Sequence, residues 1–177
     1  MIGRAALTMI GYAVFLVAGG LIAFLLAPEG ADATTALLVP SIAAALMLGS
    51  AALASLMRRS KAAGMIGIHA GLVLPLIFAL GIGQRALATW SAVGDYRDQR
   101  EAYEAAEPRP ESFGDYLEAQ GVAGEVPEYD KSYLAIILTV LALGSVGAFV
   151  LLLLQRPKPG DRGDAAATPG STETSGG

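Results

Sequence analysis

The sequence has no cysteine and a single histidine among its 177 residues. Without cysteine the chain forms no disulfide, thiolate metal site or cysteine nucleophile. One histidine excludes a metal site built from several histidines of one chain. There is also no GxxxxGK[ST] phosphate-binding loop, and no histidine paired with a credible nucleophile. The sequence therefore predicts a protein that is not an enzyme and that has no metal site and no cofactor.

Charged residues are missing from four long apolar runs. These runs lie at about 5–27, 35–57, 62–82 and 133–154, and none contains Asp, Glu, Lys or Arg. About 20 apolar helical residues cross a hydrocarbon core of about 30 Å, and 54% of the chain is hydrophobic. The predicted fold class is all-α: a polytopic membrane protein with a bundle of four transmembrane helices.

The first run has an alternative interpretation as a secretory signal peptide. MIGR is a short basic segment, and EGADA supplies the small residues of a cleavage site. The apolar region of a signal peptide has about 7 to 15 residues, and this run is longer. We therefore expect an uncleaved first transmembrane helix.

The positions of Lys and Arg predict the orientation, since basic loops stay on the cytoplasmic side. Arg4 precedes the first run, MRRSK joins the second to the third, and QRPKPGDR follows the fourth. The first connection, PEGADAT, has no basic residue. This pattern predicts a multi-pass protein of a bacterial inner (cytoplasmic) membrane with both termini cytoplasmic. Arg85, Arg97 and Arg100, beside the third run, do not follow the pattern.

The runs divide the chain into five predicted segments. Residues 1–57 form a first pair of transmembrane helices, and residues 58–88 a cytoplasmic turn and the third helix. Residues 89–132 form an acidic extracytoplasmic loop, and residues 133–155 the fourth helix. Residues 156–177 have no apolar periodicity, which predicts a disordered cytoplasmic tail.

The 89–132 loop is predicted to be partly helical. It has eleven acidic and four basic residues, a net charge of −7. Val93, Tyr96 and Tyr103 share one face of a helix that EPRP ends, and ESFGDYLEAQG is a second short helix that stops at Gly121. Acids at every third position from Asp95 could bind a divalent cation. A three-residue step drifts around a helix, so we expect a solvated face instead.

Small residues predict where the helices pack, because helices in lipid associate by close approach. Gly67 and Gly71 form a GxxxG motif on the third helix, and Pro75 is predicted to kink it. Pro40 is expected near the start of the second helix. The other glycines predicted to lie at helix contacts are Gly19, Gly20, Gly49, Gly144 and Gly147.

His69 lies close to the basic end of the third run. A neutral imidazole needs one donor and one acceptor partner, so we expect a hydrogen bond to Ser50, Ser55 or a carbonyl of a neighbouring helix. The alternatives are a substrate or proton contact and, less favoured, a metal or haem ligand. His69 and Tyr12 are the candidate substrate contacts.

Two stretches carry a resemblance to a known family, GYAVFLVAGGLIAF and LVPSIAAALMLGSAALAS. Over residues 11–55 they resemble the transmembrane protein fourteen family, which includes porphyrin-export-linked proteins and chloroplast fatty-acid exporters. The family pattern has a Tyr, paired Gly and an aromatic residue, as at Tyr12, Gly19, Gly20 and Phe24, and then a Val-Pro-Ser run, as at 39–41. Its entry to the last helix appears here only as DKSYLAIILTV, where Lys131 and Tyr133 are the nearest equivalents.

The resemblance implies a membrane protein that exports an amphipathic, hydrophobic-bodied molecule such as a fatty acid or porphyrin. The alternative is a non-transport scaffold or accessory subunit whose acidic 89–132 loop binds a protein partner. We expect the protein to contact the lipid bilayer and to bind no nucleic acid. The sequence leaves open whether the protein forms a homo-oligomer.

Overall fold

A computed structural model describes residues 3–28 and 34–155, without the side chain of Arg58. The described part of the chain is helical, apart from turns and one isolated β-bridge between Ala123 and Val126. A short 3-10 turn, Leu56–Arg58, follows the second helix. The α-helices are α1 (Arg4–Leu25), α2 (Thr34–Ser55), α3 (Lys61–Ala105), α4 (Phe113–Ala119) and α5 (Ser132–Leu154).

Four of these helices, α1, α2, α3 and α5, are long and apolar enough to cross a membrane. This confirms the predicted all-α class and is compatible with a membrane-embedded protein. The observed ends of α1, α2 and α5 lie within two residues of the predicted ones. Residues 156–177, the predicted tail, lie outside the described residues.

The third helix differs from its prediction because it does not end near residue 82. One helix of 45 residues joins the predicted third span to the first helix of the acidic segment. The expected boundary at residues 88 and 89 therefore falls inside α3. Nothing between Ile82 and Tyr103 stops a helix, since the intervening glycines face open space and the first proline after Pro75 is Pro108.

The four long helices pack side by side as two close pairs, α1 with α2 and α3 with α5. We call the end with Arg4, Ser55 and Lys61 the basic end, and the opposite end the cap end. Pro75 is fully buried within α3, and the helix continues through it. Pro40 is buried inside α2 rather than in its first turn.

Beyond the cap end, α3 and α4 form a small structure of their own, which we call the cap (residues 93–130). Its core is aromatic, and Phe113 contacts the rings of Tyr96 and Tyr103, each with centroids 5.6 Å apart. The guanidinium of Arg100 lies 5.5 Å from the Phe113 ring. Gly121, at φ 72°, follows α4 at the predicted stop. The buried residues of this core are Tyr103, Phe113, Tyr116, Leu117 and Val126.

The acids of the cap form no metal-binding cluster. No three His, Asp or Glu side chains within the described ranges are placed to hold an ion. Arg100 instead pairs with Glu104 at 3.0 Å, with both side chains about half exposed.

Candidate binding cleft

A cleft of about 640 Å³ lies between α1, α2, α3 and α5 at the cap end of the bundle. Its walls are apolar and come from all four helices. Three α2 residues of the lining, Val39, Ile42 and Leu46, are about half exposed, so the cleft reaches the outer surface of the bundle. Other wall residues are Ala23, Ala43, Phe78, Ile137 and Leu141.

The polar side chains of the lining lie at the cap end. They belong to Thr35 in the first turn of α2, Arg85 on α3, and Tyr129 and Tyr133 around the start of α5. We call these four residues the rim. The rim supplies one cation and three hydroxyls, and no Asp or Glu of residues 3–28 and 34–155 lines the cleft.

Arg85 is the one basic residue that the described part of the chain contributes to the lining. Its side chain is exposed. Within residues 3–28 and 34–155 its guanidinium forms no ion pair and no hydrogen bond, although its backbone carbonyl accepts from Thr89 Oγ1 at 2.8 Å. The charge at the cleft is therefore not neutralised by any described side chain.

Asp130 lies between the rim residues Tyr129 and Tyr133 in sequence, and its hydrogen bonds hold the start of α5. Its Oδ1 accepts from the backbone N of Ser132 at 2.8 Å and from the Ser132 hydroxyl. These hydrogen bonds, with help from the charge of Arg97, lower the pKa of the Asp130 carboxyl. The carboxylate therefore stays charged over the physiological range, and it accepts hydrogen bonds from the first residue of α5.

The bundle is closed towards the basic end by contacts between the two helix pairs. Met9 of α1 packs against Gly71 of α3. Nearer the basic end, Thr8 and Gln155 exchange hydrogen bonds, with Gln155 Nε2 donating to Thr8 Oγ1 at 2.9 Å. The cleft is thus open at one end of the bundle and sealed at the other.

Tyr12, a candidate substrate contact, lies in this sealed half and does not line the cleft. Its side chain is 5% exposed. Ser145 donates its hydroxyl hydrogen to the Leu141 carbonyl at 2.7 Å, so in the 2.5 Å Tyr12–Ser145 contact Tyr12 is the donor. The structure gives Tyr12 a role in joining α1 to α5.

His69, the other candidate, is exposed, and the expected bond to a neighbouring helix is wrong. Its Nδ1 contacts the Met65 carbonyl of its own helix at 2.7 Å. Residues two apart lie on opposite sides of a helix, so His69 faces away from Gly67 and Gly71, which are buried. It does not line the cleft.

The predicted packing glycines fall into two groups when a Cβ is added to each. At five of them the Cβ would meet a neighbouring helix closer than a real Cβ allows: Gly19, Gly20, Gly67, Gly71 and Gly144. Gly49 and Gly147 differ from the prediction, because a Cβ at either would meet no atom within 4 Å. Gly49 instead borders a second, shallower apolar groove between α2 and α3.

Sequence reasoning did not find the rim. The sequence contains one indication of Arg85, because this basic residue does not follow the Lys and Arg pattern that predicts the orientation. Tyr129 and Tyr133 lie near the end of an apolar run, where aromatic residues are common at membrane interfaces. Their convergence with Arg85 depends on the packing of α3 against α5, which no local pattern predicts.

Comparison with protein-family models, curated proteins and solved structures finds no match to this chain. The functional argument therefore rests on the geometry of the cleft and the cap. The resemblance of residues 11–55 to the transmembrane protein fourteen family stays a prediction.

Proposed function

We propose that the protein is an integral membrane protein that facilitates the transfer of an amphipathic molecule with a hydrophobic body. The observation that carries this proposal is the cleft, whose walls are apolar and whose polar rim lies at one end. Such a lining matches a molecule with one polar and one apolar part. Fatty acids and porphyrins are the first examples to test, because the sequence resemblance suggests them.

The arrangement of the helices supports transfer as well as binding. Contacts between the two helix pairs, such as Met9 with Gly71, close the half towards the basic end, whereas the cap half contains the cleft as well as a contact of Gly19 with Leu141. A movement of one pair against the other would close the cleft at the cap end and open the opposite half. Transfer across the bilayer requires such an exchange.

A bulky side chain placed in the cleft tests this function. Val39→Trp introduces an indole from an exposed position of the lining, so it narrows the cleft without overpacking the core. In reconstituted vesicles we expect the wild type to accelerate transfer of fluorescent palmitate or fluorescent lysophosphatidylglycerol between the leaflets. We expect the protein-dependent transfer rate of the variant to be about tenfold lower than that of the wild type.

Leu38→Trp is the matched control, since Leu38 is the neighbouring residue, is equally exposed and does not line the cleft. It is expected to retain wild-type transfer. Equal rates for vesicles with and without wild-type protein, or for the Val39 and Leu38 variants, would contradict the proposal.

We further propose that the basic end is cytoplasmic in a bacterial inner membrane and that the cap is outside. Single cysteines report this cleanly because the chain has none. Ser60 and Ser112 accept capping hydrogen bonds, so the exposed neighbours Ala62 and Gln120 are better positions. An impermeant thiol reagent applied to intact spheroplasts is expected to label Gln120→Cys and not Ala62→Cys. The reverse labelling would show the opposite orientation.

The alternative function, a scaffold or accessory subunit, also has an observation in its favour. The acidic segment is not an irregular loop but a cap with its own aromatic core. A folded extramembrane surface is what a protein partner recognises. Loss of a co-purifying partner when the cap is opened, with transfer unchanged, would favour this alternative.

A further inference from the structure

Among the described residues, the rim of the cleft contains hydrogen-bond donors and a positive charge but no carboxylate. Arg85 contributes a guanidinium with no described partner, and hydroxyls come from Thr35, Tyr129 and Tyr133. A lining of this kind disfavours a cationic or zwitterionic amine at the rim, because no described lining residue balances a second positive charge. It suits an anion with several acceptor oxygens.

The rim also lies where lipid headgroups lie. Trp90, one and a half turns beyond Arg85, is 41% exposed and donates from Nε1 to Thr139 Oγ1 at 3.0 Å. Tyr133 lies in the first turn of α5, at the cap end of the bundle. Exposed Trp and Tyr side chains at the end of apolar helices mark the membrane interface. An anion bound by Arg85 is therefore at headgroup depth, with the apolar walls extending from it along the acyl-chain direction.

We propose that the cleft binds the phosphate of an anionic membrane lipid, with Arg85 as the phosphate ligand and one acyl chain along the apolar walls. This inference rests on the proposed function, because it names the chemical class of the molecule that the same cleft takes up. A lipid phosphodiester is favoured over a carboxylate because its tetrahedral group adds two ester oxygens to the two charged ones, and these point in more directions towards the guanidinium and the rim hydroxyls.

The charge of the cap agrees with entry from the bilayer. Residues 89–132 have a net charge of −7, which repels an anion that approaches from water. A lipid already in the leaflet reaches the cleft sideways, past the exposed α2 residues Val39 and Ile42. The acidic cap and the basic rim therefore select together for a membrane-borne anion.

The test compares three probes that share one palmitoyl chain: lysophosphatidylglycerol, palmitate and monopalmitoyl glycerol. Binding to the full-length protein in detergent is measured by native mass spectrometry and by the shift in melting temperature. We expect lysophosphatidylglycerol to bind more tightly than either other probe. Arg85→Gln is expected to weaken it by about tenfold or more, and Arg85→Lys by less, since a charge–charge contact remains.

Arg109→Gln is the matched control, because Arg109 is an exposed arginine of the cap that lies outside the cleft, with its guanidinium 4.9 Å from the Tyr103 ring. We expect it to change binding by less than about twofold. Equal binding of palmitate and lysophosphatidylglycerol would overturn the phosphate assignment. Loss of binding in Arg109→Gln as large as in Arg85→Gln would overturn the role of Arg85.

Two further outcomes separate this inference from the proposed function. If none of the three probes binds and none is transferred, the function of the cleft itself is wrong. If monopalmitoyl glycerol binds as well as the anions and Val39→Trp abolishes that binding, the cleft takes amphipathic molecules but the headgroup inference fails.

Discussion

Replacing Gly67 with alanine is expected to destabilise the helix bundle by about 1 to 3 kcal/mol. A Cβ at this position would overlap the backbone N of Ala54 and lie 2.7 Å from the carbonyl O of Ser50. Both atoms belong to the backbone of α2, which cannot rotate away as a side chain can. The two helices must move apart to admit a single methyl group, and the packing around the contact is lost with them.

The measurement is the free energy of unfolding in mixed micelles, together with the melting temperature in mild detergent. Gly49→Ala is the control, since a Cβ at Gly49 meets no atom within 4 Å and alanine is the better helix former. We expect that variant to be as stable as the wild type or more stable. Gly71 is an intermediate case, because its neighbour is the flexible end of Met9. Equal stability of the Gly67 and Gly49 variants would show that α2 and α3 do not pack closely.

Helix positions were predictable from the sequence, because each long uncharged run ends at polar residues or turn formers. α1 and α5 end where the apolar composition ends, near Leu25 and Leu154. The length of α3 was not predicted, because the change from apolar to acidic composition near Arg85 was taken to indicate the end of a helix. A change in the surroundings along a helix alters which side chains are favoured, but it does not break the backbone hydrogen bonds of the helix.

The contacts of the glycines were only partly predictable. Gly67 and Gly71 share one face because they are four residues apart, and both approach another helix. The same spacing rule applied to Ala45 and Gly49 gives a face that borders an open groove. Small residues permit a close approach, but the partner helix decides whether it occurs.

The histidine shows a different limit of sequence reasoning. His69 was expected to satisfy its ring by bonding across to α2, whereas it uses the Met65 carbonyl one turn earlier. The carbonyl four residues earlier on the same helix is within reach of a polar side chain such as His69. The sequence therefore does not show whether the side chain bonds to that carbonyl or to a neighbouring helix. The buried hydroxyls of Tyr12 and Ser145 bond to each other across two helices, whereas the exposed His69 bonds within its own helix.

Phe113→Ala is expected to open the cap while the bundle stays folded. Phe113 is 8% exposed and contacts three tyrosine rings, those of Tyr96, Tyr103 and Tyr116. Removing a buried phenylalanine costs about 3 to 5 kcal/mol, and the core of the cap has few other residues to compensate. α4 has seven residues, too few to be helical without this packing.

Limited proteolysis with a glutamate-specific protease measures the opening, because the cap contains exposed glutamates on both sides of Phe113. We expect cleavage of the variant to be at least about tenfold faster than that of the wild type, with the melting of the bundle unchanged. Glu118→Ala is the control, because it changes an exposed residue of the same helix without opening the cap. Its cleavage at the remaining glutamates is expected to be as slow as in the wild type. Wild-type cleavage rates in Phe113→Ala would mean that the aromatic cluster does not hold the cap together.

The same variant separates the two candidate functions, because the buried core residues of the cap lie outside the cleft lining. Phe113 lies outside the cleft lining, whereas α1, α2, α3 and α5 all contribute to it. If the protein transfers a lipid-like molecule, the variant keeps transfer that Val39→Trp loses. If the protein is a scaffold, a partner that binds the cap is lost from Phe113→Ala and stays bound to Val39→Trp. A variant that loses both would mean that the cap is required to hold the rim, since Tyr129 belongs to the cap and Tyr133 follows it closely along the chain.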